Sequence, residues 1–275
     1  MLSRAHIEEY YLPYLSIGSR GSKSKDIIMV VQAILYRLKT GCQWRLLPMR
    51  ELAESAQLRW VTVYYHFRRW VADGSFRRLW VGLLRRFKHC LDLSSIQLDG
   101  SQTLVKRGGQ AVGYQHRKSG NTTNILLLSD NSGIPVSVCQ PIEGNHHDVY
   151  KIAEFMNQIF KLLREADIEI DGLFLNADAG FDTAEVRQVC QENGIIANID
   201  LNPRNGSVYD REEFVDQELY KRRTAIERTN AWIDAYKALF VRYETQADTW
   251  FSLHLLAFSV IFLRKIGKFK LQSKS

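Results

Sequence analysis

Three carboxylates occupy positions that packing alone does not explain. Asp99 closes the apolar run of SSIQLDGS, Asp178 closes that of LFLNADAGFDT, and Glu227 lies in the basic stretch YKRRTAIERTNAW. A strand that ends on an aspartate delivers its carboxylate to the edge of a sheet. Magnesium takes hard oxygen ligands and keeps several waters, so a few carboxylates and substrate phosphate oxygens suffice to hold it. Two such ions about 4 Å apart activate the attacking oxygen and stabilise the leaving one in an in-line displacement at phosphorus. Three carboxylates gathered without cations would repel one another, which is why a metal is expected with them.

Each residue also has a plainer explanation. Asp99-Gly100 suits a turn, Asp178 suits a loop bond or a helix cap, and Glu227 can pair with Arg223 one helical turn earlier. The separations, 79 residues and then 49, leave room for the strands and helices that would bring the three together. Neighbouring parallel strands would place both aspartates at one sheet edge, with the glutamate reaching in from a helix.

The elements that must do this positioning can be read from periodicity. After the polar entry GSRGSKSK at 18–25, Ile27, Val31, Ile34, Leu35 and Leu38 recur at helical spacing until Gly41. A second helix covers Val63–Ala72, with Tyr64, Phe67 and Trp70 on one face and His66, Arg68 and Arg69 largely on the other. Asp73-Gly74 breaks it, and Ser75 is placed to cap a third helix reaching about His89. Aromatics inside, arginines outside and short turns are what a helix-turn-helix DNA reader needs, though a basic bundle can also hold a protein.

From Leu93 the period changes. Strands are expected at Ile96–Leu98, Ile125–Leu128 and Ile134–Cys139, the last two a hairpin through Asn131-Ser132-Gly133. Val149–Arg164 reads as a helix and Leu173–Leu175 as a strand. Thr183–Glu192 reads as a helix capped by Asp182, and Ile195–Ile199 as a strand. A loop follows at Asn202–Ser207, then a charged helical stretch carrying Glu227 and an apolar C-terminal helix. The order implies an α/β fold, a mixed sheet covered by helices. It divides at residues 92 and 93 into an N-terminal all-helical unit, 1–92, and a sheet-bearing part, 93–275.

Bulk properties fit a nucleic-acid partner. Residues 1–98 carry 16 Lys and Arg against 7 Asp and Glu, while residues 99–275 carry 21 against 23, so the net +7 belongs to the first third. Four scattered cysteines form no C-x-x-C pair and read as reduced cytosolic thiols. Met1–Tyr10 is too charged for a signal peptide, and Trp250–Leu263 falls short of the roughly 20 residues that span a bilayer, so no membrane is expected.

Several motifs in the same order are similar to those of DDE transposases of bacterial insertion sequences, specifically the insertion-sequence-five group. AILYRLKTGCQWRLLP followed by VTVYYHFRRWVADGSF resembles the group's helical DNA-binding region. QLDGS carries the first aspartate, GNHHD the turn before a long helix, and NADAGFDT the second aspartate. Tyr220, Arg223 and Glu227 form the Y-x-x-R-x-x-x-E signature. The resemblance runs from about Ile34 to Tyr243. It implies a ribonuclease H-like catalytic domain in which Asp99, Asp178 and Glu227 hold two Mg2+ or Mn2+ ions. It also implies cleavage at the element's inverted ends, and attack of the freed 3′-hydroxyl on target DNA.

On the same resemblance, Tyr220, Arg223 and Arg228 are expected at DNA phosphates near the scissile bond, and Tyr64, His66, Arg68 and Arg69 at DNA in the helical unit. The basic residue often found seven positions after the glutamate is Asp234 here, and Lys237 is the expected substitute. His146 and His147 lack a cysteine companion and are not expected to bind zinc. Two ends must be joined, so a dimer or larger assembly on double-stranded DNA in the bacterial cytoplasm is implied. The alternatives are a catalytically silent, transposase-derived DNA-binding protein or repressor, and a structure-specific nuclease on the same fold.

Overall fold

The computed structural model describes residues 2–17, 27–52, 58–205, 211 and 213–272. The expected polar entry at 18–25 lies outside them, as does part of the loop expected at 202–207. Helices open the chain: α1 (Arg4–Tyr10), α2 (Ile27–Thr40), the short α3 (Met49–Leu52), α4 (Trp60–Ala72) and α5 (Ser75–Phe87). Between α4 and α5 the chain turns through Gly74 in the left-handed region (φ 71°). Asp73, rather than Ser75, supplies the capping acceptor, taking the Ser75 amide at 2.9 Å. Ser75 is itself buried.

The sheet has two long central strands, β1 (Ile96–Val105) and β3 (Gly120–Asp130), paired antiparallel from Ile96↔Asp130 to Leu104↔Thr122. On its outer side β3 meets β2 (Gly113–Gln115), β4 (Pro135–Val138) and β5 (Ile142–Glu143) in turn. On its other side β1 pairs parallel with β6 (Phe174–Ala177), which pairs parallel with β7 (Ile196–Ile199), while β8 (Val241–Arg242) lies parallel beside the far end of β1. The path β4-β3-β1-β6-β7, antiparallel through β1 and parallel beyond it, is the ribonuclease H-like order. Between these strands come α6 (Ile152–Glu165) and α7 (Ala184–Glu192). The C-terminal run holds α8 (Gln217–Tyr220), α9 (Ala225–Asp234), α10 (Lys237–Phe240) and α11 (Ala247–Gln272).

Two expectations are corrected at this level. Asp99 does not end its strand: β1 continues six residues beyond it to Val105, because β3 and β8 go on supplying backbone partners after β6 has stopped. Asp182 does not cap α7 either. Thr183 does, its hydroxyl accepting from the Val186 amide at 3.2 Å, while Asp182 is buried against two arginines.

The helical N-terminal unit shares its core with the rest. Trp80 of α5 is fully buried, donates to the Val136 carbonyl of β4 at 3.1 Å, and meets Phe258 and Phe262 of α11 edge-on. Tyr11 bonds Ser259 of the same helix at 2.6 Å. Residues Ala247–Ile266 of α11 are long and apolar enough to cross a membrane, yet most of them are buried inside the protein, so the helix is a core spine. Three arginines of the N-terminal unit also pair with acids of the later chain, Arg77, Arg85 and Arg37 with Glu165, Asp167 and Glu244.

Candidate active site

The register of β1 against β6 places the first two carboxylates. Ile96 faces Leu175 and Gln97 faces Asn176, and the pairing ends there, two residues before Asp99 on β1 and Asp178 just after β6. Across these strands runs a buried polar ladder. Asn198 donates to Asn176 at 2.7 Å, Asn176 to Gln97 at 2.8 Å, and Gln97 to Ser95 at 2.9 Å. Asn176 also donates to the Leu219 carbonyl at 2.8 Å, and Asn198 exchanges bonds with the Asp216 backbone at 2.7 and 3.0 Å. Buried amides must be partnered, so this ladder fixes both the strand register and the segment leading to Glu227.

Glu227 is delivered by α9. Ala225, Ile226, Thr229 and Ile233 bury one side of that helix, and the Thr229 hydroxyl donates to the Gly133 carbonyl at 2.6 Å. Gly133 (φ 82°) is required there because an added Cβ would sit 2.6 Å from the Ala225 carbonyl oxygen. One turn beyond Glu227, on the same side, Asn230 donates to the Asp99 carboxylate at 3.2 Å. That bond ties α9 directly to β1.

Burial pushes the Asp99 carboxyl up to about 6, and the negative charges of Glu227 and Asp148 add to the rise against hydrogen bonds from the Gly100 amide and Asn230. Neither of those two donors is a cation. Asp178 is exposed, accepts from the Gly180 amide at 2.8 Å, and has Arg223 at 3.8 Å. Among the described residues no three His, Cys, Asp or Glu side chains are grouped to hold a metal. Glu227 lies near enough to Asp99 to raise its carboxyl, whereas the Asp178 side chain turns to the Gly180 amide and Arg223. The donor set, all carboxylate oxygen with excess negative charge around Asp99, fits Mg2+ or Mn2+.

Two neighbours of this site were not legible as functional. Asp148, in the GNHHD turn, is held by Asn124 at 2.6 Å and packs over Gly100, where a Cβ would overlap its carboxylate. Asn230 gave only the hint of lying three residues after Glu227. Beside Asp99 a hollow of about 390 Å³ is lined by Gly100–Thr103, Arg117, Lys118 and Asn230 among others.

The remaining expected contacts divide. Tyr220 and Arg223 flank Asp178, the Arg223 guanidinium 5.9 Å from the Tyr220 ring. Arg228 is exposed and lies along the Gly133 turn. Lys237 is exposed but does not share the helical side of Glu227. The helix ends at Asp234, and the extended Tyr236 (φ −97°, ψ 101°), its ring buried, starts α10 on a new axis. On α4, Arg68 is exposed, His66 and Arg69 are half-buried, and Tyr64 packs on Trp44 with ring centroids 5.2 Å apart. Tyr65, 61% exposed beside them, had not been singled out. The arginines of α5 are taken by acids: Arg77, Arg78, Arg85 and Arg86 pair with Glu165, Asp73, Asp167 and Glu9.

Comparison with known proteins gives two family matches. Residues 89–262 match the family described as "Transposase DDE domain", and residues 6–80 match one described as transposase of IS4/5 family. No curated protein matches the chain. Solved structures give faint likenesses. One is the Mos1 transposase paired-end complex with left transposon end, at 12% identity over 88% of this chain and 78% of that one, TM-score 0.28. Another is the Mos1 mariner paired end complex with Mn, at 13% identity over 94% and 85%, TM-score 0.29. Likenesses this slight add nothing to the strand order.

Proposed function

This chain belongs to the DDE transposase family, and we propose that it binds the inverted ends of its own insertion sequence and carries out metal-dependent cleavage and strand transfer there. The observation that supports the reading is the parallel pairing of β1 with β6, which leads to Asp99 on one strand and to Asp178 just after the other, together with the bond from Asn230 of α9, the helix of Glu227, to Asp99.

Asp99, Asp178 and Glu227 would hold two Mg2+ or Mn2+ ions, which when bound supply an activated oxygen nucleophile and stabilise the leaving oxygen. In the first step water attacks the phosphodiester at the element's end, the bond to the 3′ oxygen breaks, and a 3′-hydroxyl is left. In the second that hydroxyl attacks a target phosphodiester, so one such bond forms as another breaks. The chain's own part is positioning. Asn230 orients the Asp99 carboxylate through its Oδ2, and Arg223, within 3.8 Å of Asp178, meets the phosphate when Asp178 turns inward. Arg228 and Lys237, both exposed near this end of the molecule, serve flanking phosphates. Residues 1–92 recognise the end through Tyr64, His66, Arg68 and Arg69 of α4, and residues 93–275 catalyse. Because two ends are joined, the working form is a dimer or larger assembly on DNA in the bacterial cytoplasm.

Substituting Asp99→Asn, Asp178→Asn or Glu227→Gln should abolish Mg2+-dependent cleavage of a labelled end substrate while gel-shift binding of that end stays close to wild type. Cleavage at the wild-type rate in any of the three rejects the assignment.

A further inference from the structure

Arg37 of α2 is 5% exposed, and its Nε and Nη1 have no hydrogen-bond partner among the described residues. Its Nη2 is held by Glu244, and its guanidinium lies 4.9 Å from the Trp44 ring. Unsatisfied donors on a buried cation are costly. The fold is able to satisfy such a group. Arg242, equally buried, donates through Nε to the Glu244 carbonyl, through Nη1 to Thr123 and through Nη2 to the Gln110 carbonyl. Arg37 therefore keeps its donors for something that enters from outside.

What Arg37 faces is a cleft of about 720 Å³ where the helical unit meets the segment after β8. Trp44, Trp60, Tyr64 and Tyr243 give it aromatic walls, and Arg45 and Arg107 stand exposed at it. Flat aromatic walls suit a nucleobase, which stacks whatever its identity. Exposed arginines suit phosphates. A phosphate on the surface of an intact duplex reaches Arg45 and Arg107 but not a side chain as buried as Arg37. An inserted, planar group with a carbonyl acceptor suits the aromatic walls and the unpartnered Arg37 donors beyond them, and the Glu244 carboxylate at the inner end disfavours a second anion there.

We propose that this cleft receives one unpaired nucleotide of bound DNA, its base between the aromatic rings with a carbonyl on Arg37 and its phosphates on Arg45 and Arg107. This rests on the reading that the protein binds DNA, and it adds a site away from the three carboxylates.

The test compares three fluorescently labelled DNAs by anisotropy at one salt concentration: a blunt end duplex, the same duplex with one extrahelical nucleotide, and the same with an abasic residue at that place. Wild type should bind the extrahelical form about tenfold more tightly than the other two. Arg37→Met with Glu244→Gln should erase that preference while blunt-duplex binding and end cleavage persist, and Arg45→Ala with Arg107→Ala should weaken binding of all three DNAs and lower the preference for the extrahelical form. The exposed pair keeps the test valid should the buried pair fold poorly. Equal wild-type affinity for all three DNAs, with cleavage intact, overturns the cleft and leaves the transposase reading standing. Loss of all DNA binding and cleavage in the wild type overturns both.

Discussion

Asn230 is the residue on which the geometry of the site most depends. It joins the helix that carries Glu227 to the strand that carries Asp99, and its carboxamide is the only side chain bonded to Asp99 among the described residues. Outer partners of metal-holding carboxylates typically matter at the level of 10- to 100-fold. Asn230→Ala is therefore expected to slow end cleavage by about 10- to 100-fold with gel-shift affinity unchanged, and Asn230→Asp to be worse, because it adds negative charge beside a carboxyl already raised by Glu227 and Asp148. Cleavage at the wild-type rate in Asn230→Ala would show that the bond plays no part. The three carboxylates were singled out in the sequence by the motifs that carry them, since each alone has a plainer explanation. Asp148 and Asn230 were not, because what makes them matter is a contact with residues 48 and 131 positions away, and a turn aspartate or a mid-helix asparagine looks the same without it.

At the scale of elements, the loop following β6 depends on Asp182, four residues after Asp178. Its buried carboxylate holds Arg187 of α7 and Arg211 and accepts from the Asn202 amide, so one side chain joins α7 to the chain beyond β7. Burial alone would raise its carboxyl, but the bonds from Arg211, Asn202 and Arg187 outweigh it and hold the group well below the usual carboxylate range. A depressed carboxylate contributes stability that is present above its unfolded value near 4 and lost as pH falls towards the folded one. Asp182→Asn should lower the melting temperature at pH 7 by several degrees, and the gap from wild type should shrink as the pH drops below about 4. A constant gap would mean the carboxylate acts by shape alone. Periodicity found the long elements, including α2, α5, α7 and the β3–β4 hairpin. It missed β2, β5 and β8, since strands of two or three residues exist only through partners on β3 and β1. It also ended β1 too early, because apolar patterning stops at the carboxylate while backbone pairing does not.

Across the whole molecule, α11 unites what composition had divided. The basic first third looked like a separate module, yet its Arg37, Arg77 and Arg85 pair with acids of the later chain and its Trp80 is enclosed by α11, facts that net charge cannot reveal. His254 lies near the start of that spine, 2% exposed, edge-on to Trp250 at 4.3 Å, with its Nδ1 donating to the Trp250 carbonyl at 3.0 Å. Burial pushes its imidazole down to about 4, and the nearby Arg242 adds to that. Between pH 6.5 and 4 the unfolded chain therefore binds a proton there that the folded chain refuses, so this contribution to stability falls as pH falls, by about 3 kcal/mol in full. Asp99 and Asp130, both raised to about 6, work in the opposite direction over the same range, because the folded state holds their protons more tightly. The raw stability curve thus mixes the two signs, and the informative quantity is a difference. Urea unfolding of wild type and His254→Leu at pH 7 and pH 4.5 should show the variant gaining on wild type by about 2 kcal/mol as the pH drops. An unchanged difference would place the titrating group elsewhere than at the heart of α11.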